Sequence, residues 1–354
     1  MHAVELERLL PRLAGWPVVV ETRHRSWTAE EATAWLAAQG YPMLRDAAEF
    51  YRHFPNLRRG ADGKYHLHHV NSNESVLGAT DPDEDLTALR GLLPAAIRSA
   101  EILDTDRPLR DAWVALLRDL APIPTSDLPD ALRPADYAGP EVFVRGRRPV
   151  VRGENAFLPD RNSLPAWFFD LAHVGSADAE RLRVANATFD AFFRTPIGPE
   201  TDVGVLSKVA IAGAALGRVE ATRYLIPSQI LSRDAERDIS YRGGGVLANR
   251  MMLREGPQAL DAERLGRAAE ALNLALLQSY PPEPAGTPVL RVFPAWPPEW
   301  EAAFTLRARG GFLVTSERRD GRTGFVEIES LAGSECRLVN PWTGSAVDVH
   351  RDGV

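Results

Sequence analysis

At "PPEPAGTP" (281–288) the hydrophobic period of the chain changes, and that change limits the fold more than any other feature. Upstream, apolar residues recur every three to four positions, the period of helices buried on one face. Downstream, "FTLRAR", "GFLVTSERR", "GFVEIESL" and "ECRLVN" are short alternating or β-branched runs. Gly-Gly, Asp-Gly and Gly-Ser turns separate them, which is the pattern of antiparallel sheet. The chain therefore reads as mainly α, with a helical domain over 1–283 and a small antiparallel β domain over 284–354.

Within the helical part, Thr28 and Glu31 have the spacing of a capping box ahead of "TAEEATAWLAA". Leu86, Leu89, Leu93 and Ile97 mark one buried face of a helix that starts after Asp81 and Pro82. Leu265, Ala268, Ala269, Leu272 and Leu276 mark the core face of the last helix. The connection over 121–165 is rich in proline and strand-like pieces, and loops of that length inside a compact domain are usually functional.

Composition narrows the function by exclusion. Among 354 residues, 45% are apolar and 25% charged, ordinary values for a soluble globular protein. The net charge of -7 is spread through the chain, so neither a nucleic-acid footprint nor a polybasic membrane patch is expected. "MHAVELERLL" lacks the basic flank and apolar run of an export signal, which predicts a cytoplasmic chain. The apolar stretch "VAIAGAALG" is about half the roughly 20 residues a membrane helix needs. The single cysteine, Cys336, excludes an intrachain disulfide and reads as a buried small hydrophobe.

Candidate chemistry concentrates in "KYHLHHVNSNESVLGATDPDED" (64–85). His66, His68 and His69 lie close to Asp81, Asp83 and Asp85, as metal ligands would, but the spacing matches no zinc signature and no metal is expected. Hydrogen-bonded loop histidines are the plainer reading. The acidic run suits a helix start, with Asp81 as N-cap, Pro82 in the first turn and Glu84 three residues after the cap. Glu74 stands apart, between a strand and that helix, and Asn73 and Ser75 beside it suit polyol recognition. A carboxyl there can serve as general acid. Glu255, between Arg254 and Gly-Pro ahead of the last helix, is placed to stay ionised as a base, or to pair with Arg254 on the surface. Trp113, Trp167, Trp296, Trp300 and Trp342 are core residues or stacking platforms for sugar rings.

"YPMLRDAAEFY", "GKYHLHHVNSNES", "REGPQALDAERLGRAAEALNLALLQSY" and "LRVFPAWPPEWEAAFTLRARGGF", in that order, resemble glycoside hydrolase family 95. The resemblance implies an (α/α)6-barrel, or six-hairpin, toroid followed by a small β-sandwich, and an inverting glycosidase of the α-L-fucosidase type that needs no metal or cofactor. It implies that Glu74 protonates the glycosidic oxygen and that Glu255 helps activate water. Asn71, Asn73, His69 and Arg254 are the accompanying substrate-binding candidates. The implied partner is an oligosaccharide or glycoconjugate.

The sequence departs from the family at three points. Asn-Glu-Ser replaces Ser-Pro-Glu, Glu replaces Asp at the second site, and the water-holding Asn-x-Asn element is absent upstream of residue 28. Asn71 and Asn73 have that spacing but sit beside the acid. These departures, with fewer helices than a complete toroid needs, lead to the expectation of a fragment whose exposed helix faces promote homo-oligomers. A carbohydrate-binding remnant and a glycoside phosphorylase are the rival expectations.

Overall fold

The computed structural model describes residues 29–72, 76–127, 137–147, 164–193, 195–203, 207–231 and 263–351. Thr28, and with it the expected capping box, lies outside them. Helix α1 (Ala29–Trp35) runs through a π-turn (Leu36–Gly40) into α2 (Tyr41–Arg52). Four short strands follow: β1 (Leu57–Arg59), β2 (Tyr65–Leu67), β3 (Val70–Ser72) and β4 (Val76–Ala79). They pair as two antiparallel hairpins, β1–β2 and β3–β4. Helices α3 (Asp83–Ile102) and α4 (Arg107–Asp119) are joined by four residues and lie side by side as a helical hairpin.

The apolar stripe of α3 follows from its sequence. Leu86, Leu89, Leu93, Ala96 and Ala100 are fully buried, and Ile97 is half-buried against the same core. Trp113 of α4 is buried in that core, and its indole Nε1 donates to Glu49 Oε1 at 2.7 Å. It is therefore a core residue and no sugar platform.

Short α5 (Leu164–Trp167) precedes α6 (Ala179–Ala191), α7 (Val209–Ala215), α8 (Ile226–Leu231) and α9 (Glu263–Leu276). Asp178 caps α6 by accepting from the Arg181 amide at 2.8 Å. Helix α7 is buried on every side, which its sequence, VAIAGAA, allows because small side chains let neighbours approach closely. A Cβ added at Gly213 would meet Ala221 Cβ at 2.5 Å and Phe189 Cε2 at 2.8 Å. The helix ends in a Schellman turn: Gly217, at φ 77, lets the Arg218 amide reach Gly213 O at 2.8 Å.

The buried stripe of α9 differs from the expected one. Ala268, Ala271 and Ala275 are buried against α7, whereas Ala269 and Leu272 are exposed. Tight packing on a small-residue helix selects alanines over leucines at the contact. The closed toroid implied by the family resemblance is not found among the described residues; the helices occur with small antiparallel sheets.

The antiparallel C-terminal sheet follows the alternation in the sequence. Strand β5 (Leu277–Gln278) pairs with β6 (Arg291–Val292), and β7 (Ala302–Ala308), β8 (Phe312–Arg319) and β9 (Arg322–Ser330) form a meander. Phe304, Ala308, Phe312 and Val314 are buried on one face, with Val326 and Ile328 packed against them. The outward positions of β9 include Phe325, Glu327 and Glu329, all exposed. Asp320 and Gly321, both at positive φ, make the two-residue turn of the β8–β9 hairpin. Arg309, at the β7–β8 turn, donates to Asp170 through both terminal nitrogens and ties the sheet to the helical part. Beside this pair, His173 donates from Nε2 to Pro281 O at 2.9 Å while its Nδ1 accepts from the Gly175 amide at 3.1 Å. Cys336 is exposed, contrary to its reading as a buried hydrophobe.

Candidate active site

The β3–β4 hairpin rises from a foot at the N-terminus of α3. Val70 pairs with Ala79, so residues 73–75 join the two strands beyond Ser72 and Val76. The foot turns sharply on both sides, with His69 at φ 54 and Asp81 at φ 50. A reciprocal pair closes it: the Asp81 amide donates to Leu67 O at 2.8 Å, and the Leu67 amide donates to Asp81 Oδ1 at 3.0 Å.

Asp81 is fully buried and does not cap α3. Pro82 occupies the N-cap position, with φ -63 and ψ 140, and the helix begins at Asp83. The second carboxylate oxygen of Asp81 lies 2.6 Å from His66 Nδ1 and 3.5 Å from Arg147 Nε. His66 Nε2 lies 3.1 Å from Asp62 Oδ2. Burial works against charge on this imidazole, but the hydrogen bonds and charges of Asp81 and Asp62 outweigh it and raise the His66 pKa. His68, without such partners, is shifted down by burial. The two rings are 6.2 Å apart.

The long connection supplies the cations. Its described pieces run antiparallel, with Ser126 and Val144 donating to Val142 O and Pro124 O, and it then bridges to Thr80 through Arg147. Arg145 is fully buried, 3.6 Å from Asp83 and 3.8 Å from Glu84, and its carbonyl accepts from the Asp83 amide. Arg90 of α3 holds the start of the same connection by donating to Ala121 O at 2.7 Å. Asp85, next along the helix, accepts from the Tyr51 hydroxyl at 3.0 Å, and burial pushes its carboxyl upward.

Of the expected site residues, His69 and Asn71 fall within the described residues. His69 is exposed at the foot, and Asn71 is exposed on β3, where its Oδ1 accepts from the Gly78 amide at 3.1 Å and braces the hairpin. Asn73, Glu74, Arg254 and Glu255 lie outside the described residues. Among the described residues no group of three or more His, Cys, Asp or Glu side chains is arranged to hold a metal ion. Nor is any described helix long and apolar enough to cross a membrane.

Arg145, Arg147 and Asp62 were not among the expected residues. The signal for the two arginines was present in "EVFVRGRRP", an alternating strand-like run carrying basic residues, in a chain whose acidic run "TDPDED" needs partners. A separate cavity of about 460 Å³, lined by Asp190, Phe193, Ile197, Arg218 and Glu220 among others, shares no residue with the foot. Its arginine is already taken up by Asp190 and Glu220, each at 2.7 Å. No family model matches this chain, and no curated protein matches it.

Proposed function

We propose that the chain is an inverting glycoside hydrolase of the family-95 type, with Glu74 as general acid and Glu255 as the carboxylate that activates water. On this reading the helices belong to an (α/α)6 toroid, and the substrate is an oligosaccharide or glycoconjugate with a terminal sugar. The observation that supports it is the foot of the β3–β4 hairpin, where Asp81 is held by His66, Leu67 and Arg147. General acid catalysis needs a carboxyl carried on a rigid support, and that foot supplies one at the base of the hairpin whose link contains Glu74. The exposed Asn71 side chain adds an amide suited to sugar hydroxyls.

In the reaction, Glu74 gives its proton to the glycosidic oxygen as the bond to the anomeric carbon breaks. Water attacks the opposite face of the sugar and loses its proton to Glu255, so configuration inverts and the two carboxyls end with exchanged protonation. The test is hydrolysis of an aryl glycoside panel that includes the α-L-fucoside. Glu74→Gln and Glu255→Gln should each lower turnover by about 100-fold or more while leaving the melting temperature nearly unchanged. Near-normal turnover by Glu74→Gln removes the assignment. Calorimetric binding of oligosaccharides without any turnover indicates a carbohydrate-binding protein instead, and turnover that requires phosphate indicates a phosphorylase.

A further inference from the structure

We propose that Asp81 is the positioning residue of the β3–β4 hairpin and that the proton on His66 sets how firmly it holds. This rests on the reading that the hairpin carries the catalytic acid. Asp81 adopts φ 50, a left-handed conformation that non-glycine residues adopt rarely and that persists where surrounding contacts fix it. Those contacts are the two bonds to Leu67, one through the backbone and one through the carboxylate, together with His66 and Arg147 on the other carboxylate oxygen. Leu67 precedes the hairpin and Asp81 follows it, so one side chain fastens both of its ends.

His66 is the adjustable member. The groups facing it are Asp81 and Asp62 at hydrogen-bond distance, the His68 ring, Arg58 opposite it in the β1–β2 register, and Arg147 through Asp81. While His66 is protonated, its Nδ1–H bond to Asp81 is charge-assisted and the buried carboxylate is compensated. Loss of the proton leaves Asp81 with Arg147 as its nearest cation, and the foot loosens. The sign follows from the raised pKa of His66: the hold is complete on the acid side and is lost as pH rises through that raised value.

The experiment follows the Gly78 amide and the His66 ring by NMR in the full-length protein, with hydrolysis measured in parallel. In the wild type, the Gly78 shift and the His66 ring should titrate with one midpoint. Asp81→Asn keeps an oxygen for the Leu67 amide but removes the charge, so the His66 midpoint falls and the Gly78 midpoint falls with it. Turnover number should drop about 100-fold with KM nearly unchanged, and the alkaline limb of the rate profile should move to lower pH. A merely structural role would lower the rate without moving that limb. His66→Gln, which keeps a donor for Asp81 but cannot titrate, should abolish the pH dependence of Gly78; it carries the test if Asp81→Asn does not fold. The proposal is overturned if Gly78 does not follow His66 in the wild type, or if its pH dependence survives in His66→Gln. A wild type without hydrolytic activity removes the glycosidase reading alone, because the two NMR midpoints decide the role of Asp81 independently.

Discussion

The packing around α7 and the foot of the β3–β4 hairpin both have buried centres, but they are built from opposite materials. In the first, Gly213 lets Ala221 and Phe189 approach while Ala268, Ala271 and Ala275 pack from α9, and stability comes from fit. In the second, Asp81, Asp83 and Arg145 are fully buried charges, and stability comes from compensation. Fit tolerates changes of pH and salt but not of volume. Compensation tolerates modest changes of shape but not the loss of one partner, because the desolvation cost of the other then stands alone.

Removing one partner at the foot should therefore produce the largest effect. Arg145→Met removes the guanidinium 3.6 Å from the buried Asp83 carboxylate, and chemical denaturation should report a loss of about 3–5 kcal/mol. Adding Asp83→Asn should recover part of it; no recovery would mean that Arg145 acts through packing.

Acidification gives the next effect. His173, beside the Arg309–Asp170 pair, is kept neutral by burial, which lowers its pKa to about 4 against the opposing hydrogen bond to Pro281 O. Its folded pKa lies below the unfolded value of about 6.5, so its contribution is complete above that pH. As pH falls toward 4, on the order of 3 kcal/mol should be lost. His173→Asn should flatten this part of the stability profile, whereas His66→Gln should act on the alkaline side.

Gly213→Ala tests the other region. Its Cβ at 2.5 Å from Ala221 should cost about 1–3 kcal/mol, equally at pH 5 and pH 8. Ala221→Gly in the same chain should restore part of that loss, and a cycle with no coupling would place the strain elsewhere. The smallest change is expected at the exposed Arg98–Glu101 pair, 59% and 44% accessible, where Glu101→Gln should stay within about 0.5 kcal/mol.

What could be read from sequence divides along the same line. The Leu86–Leu89–Leu93 stripe and the alternation of β7 to β9 were legible because each is a local period with a single solution. The face of α9 was misassigned because leucine outranks alanine in hydropathy, while the neighbour that selects alanine, α7, lies some 50 residues upstream. Asp81 has the local grammar of a cap, Asp-Pro-x-Glu, but its partner His66 is 15 residues away and claims the carboxylate first. No local pattern predicts that capture, or the delivery of Arg145 and Arg147 by a connection that reads only as long and proline-rich. The carboxyl at position 74 was singled out by its polar neighbours and by the family resemblance, and it lies outside the described residues.

One property of the C-terminal sheet bears on how the molecule behaves in company. Among the described residues β9 has β8 as its only strand neighbour, so its far edge carries backbone groups able to pair with another chain. Glu327 and Glu329 stand exposed on that same strand. A second copy aligning its own β9 there would bring four carboxylates into one short ladder, and their mutual repulsion would oppose such edge-to-edge pairing.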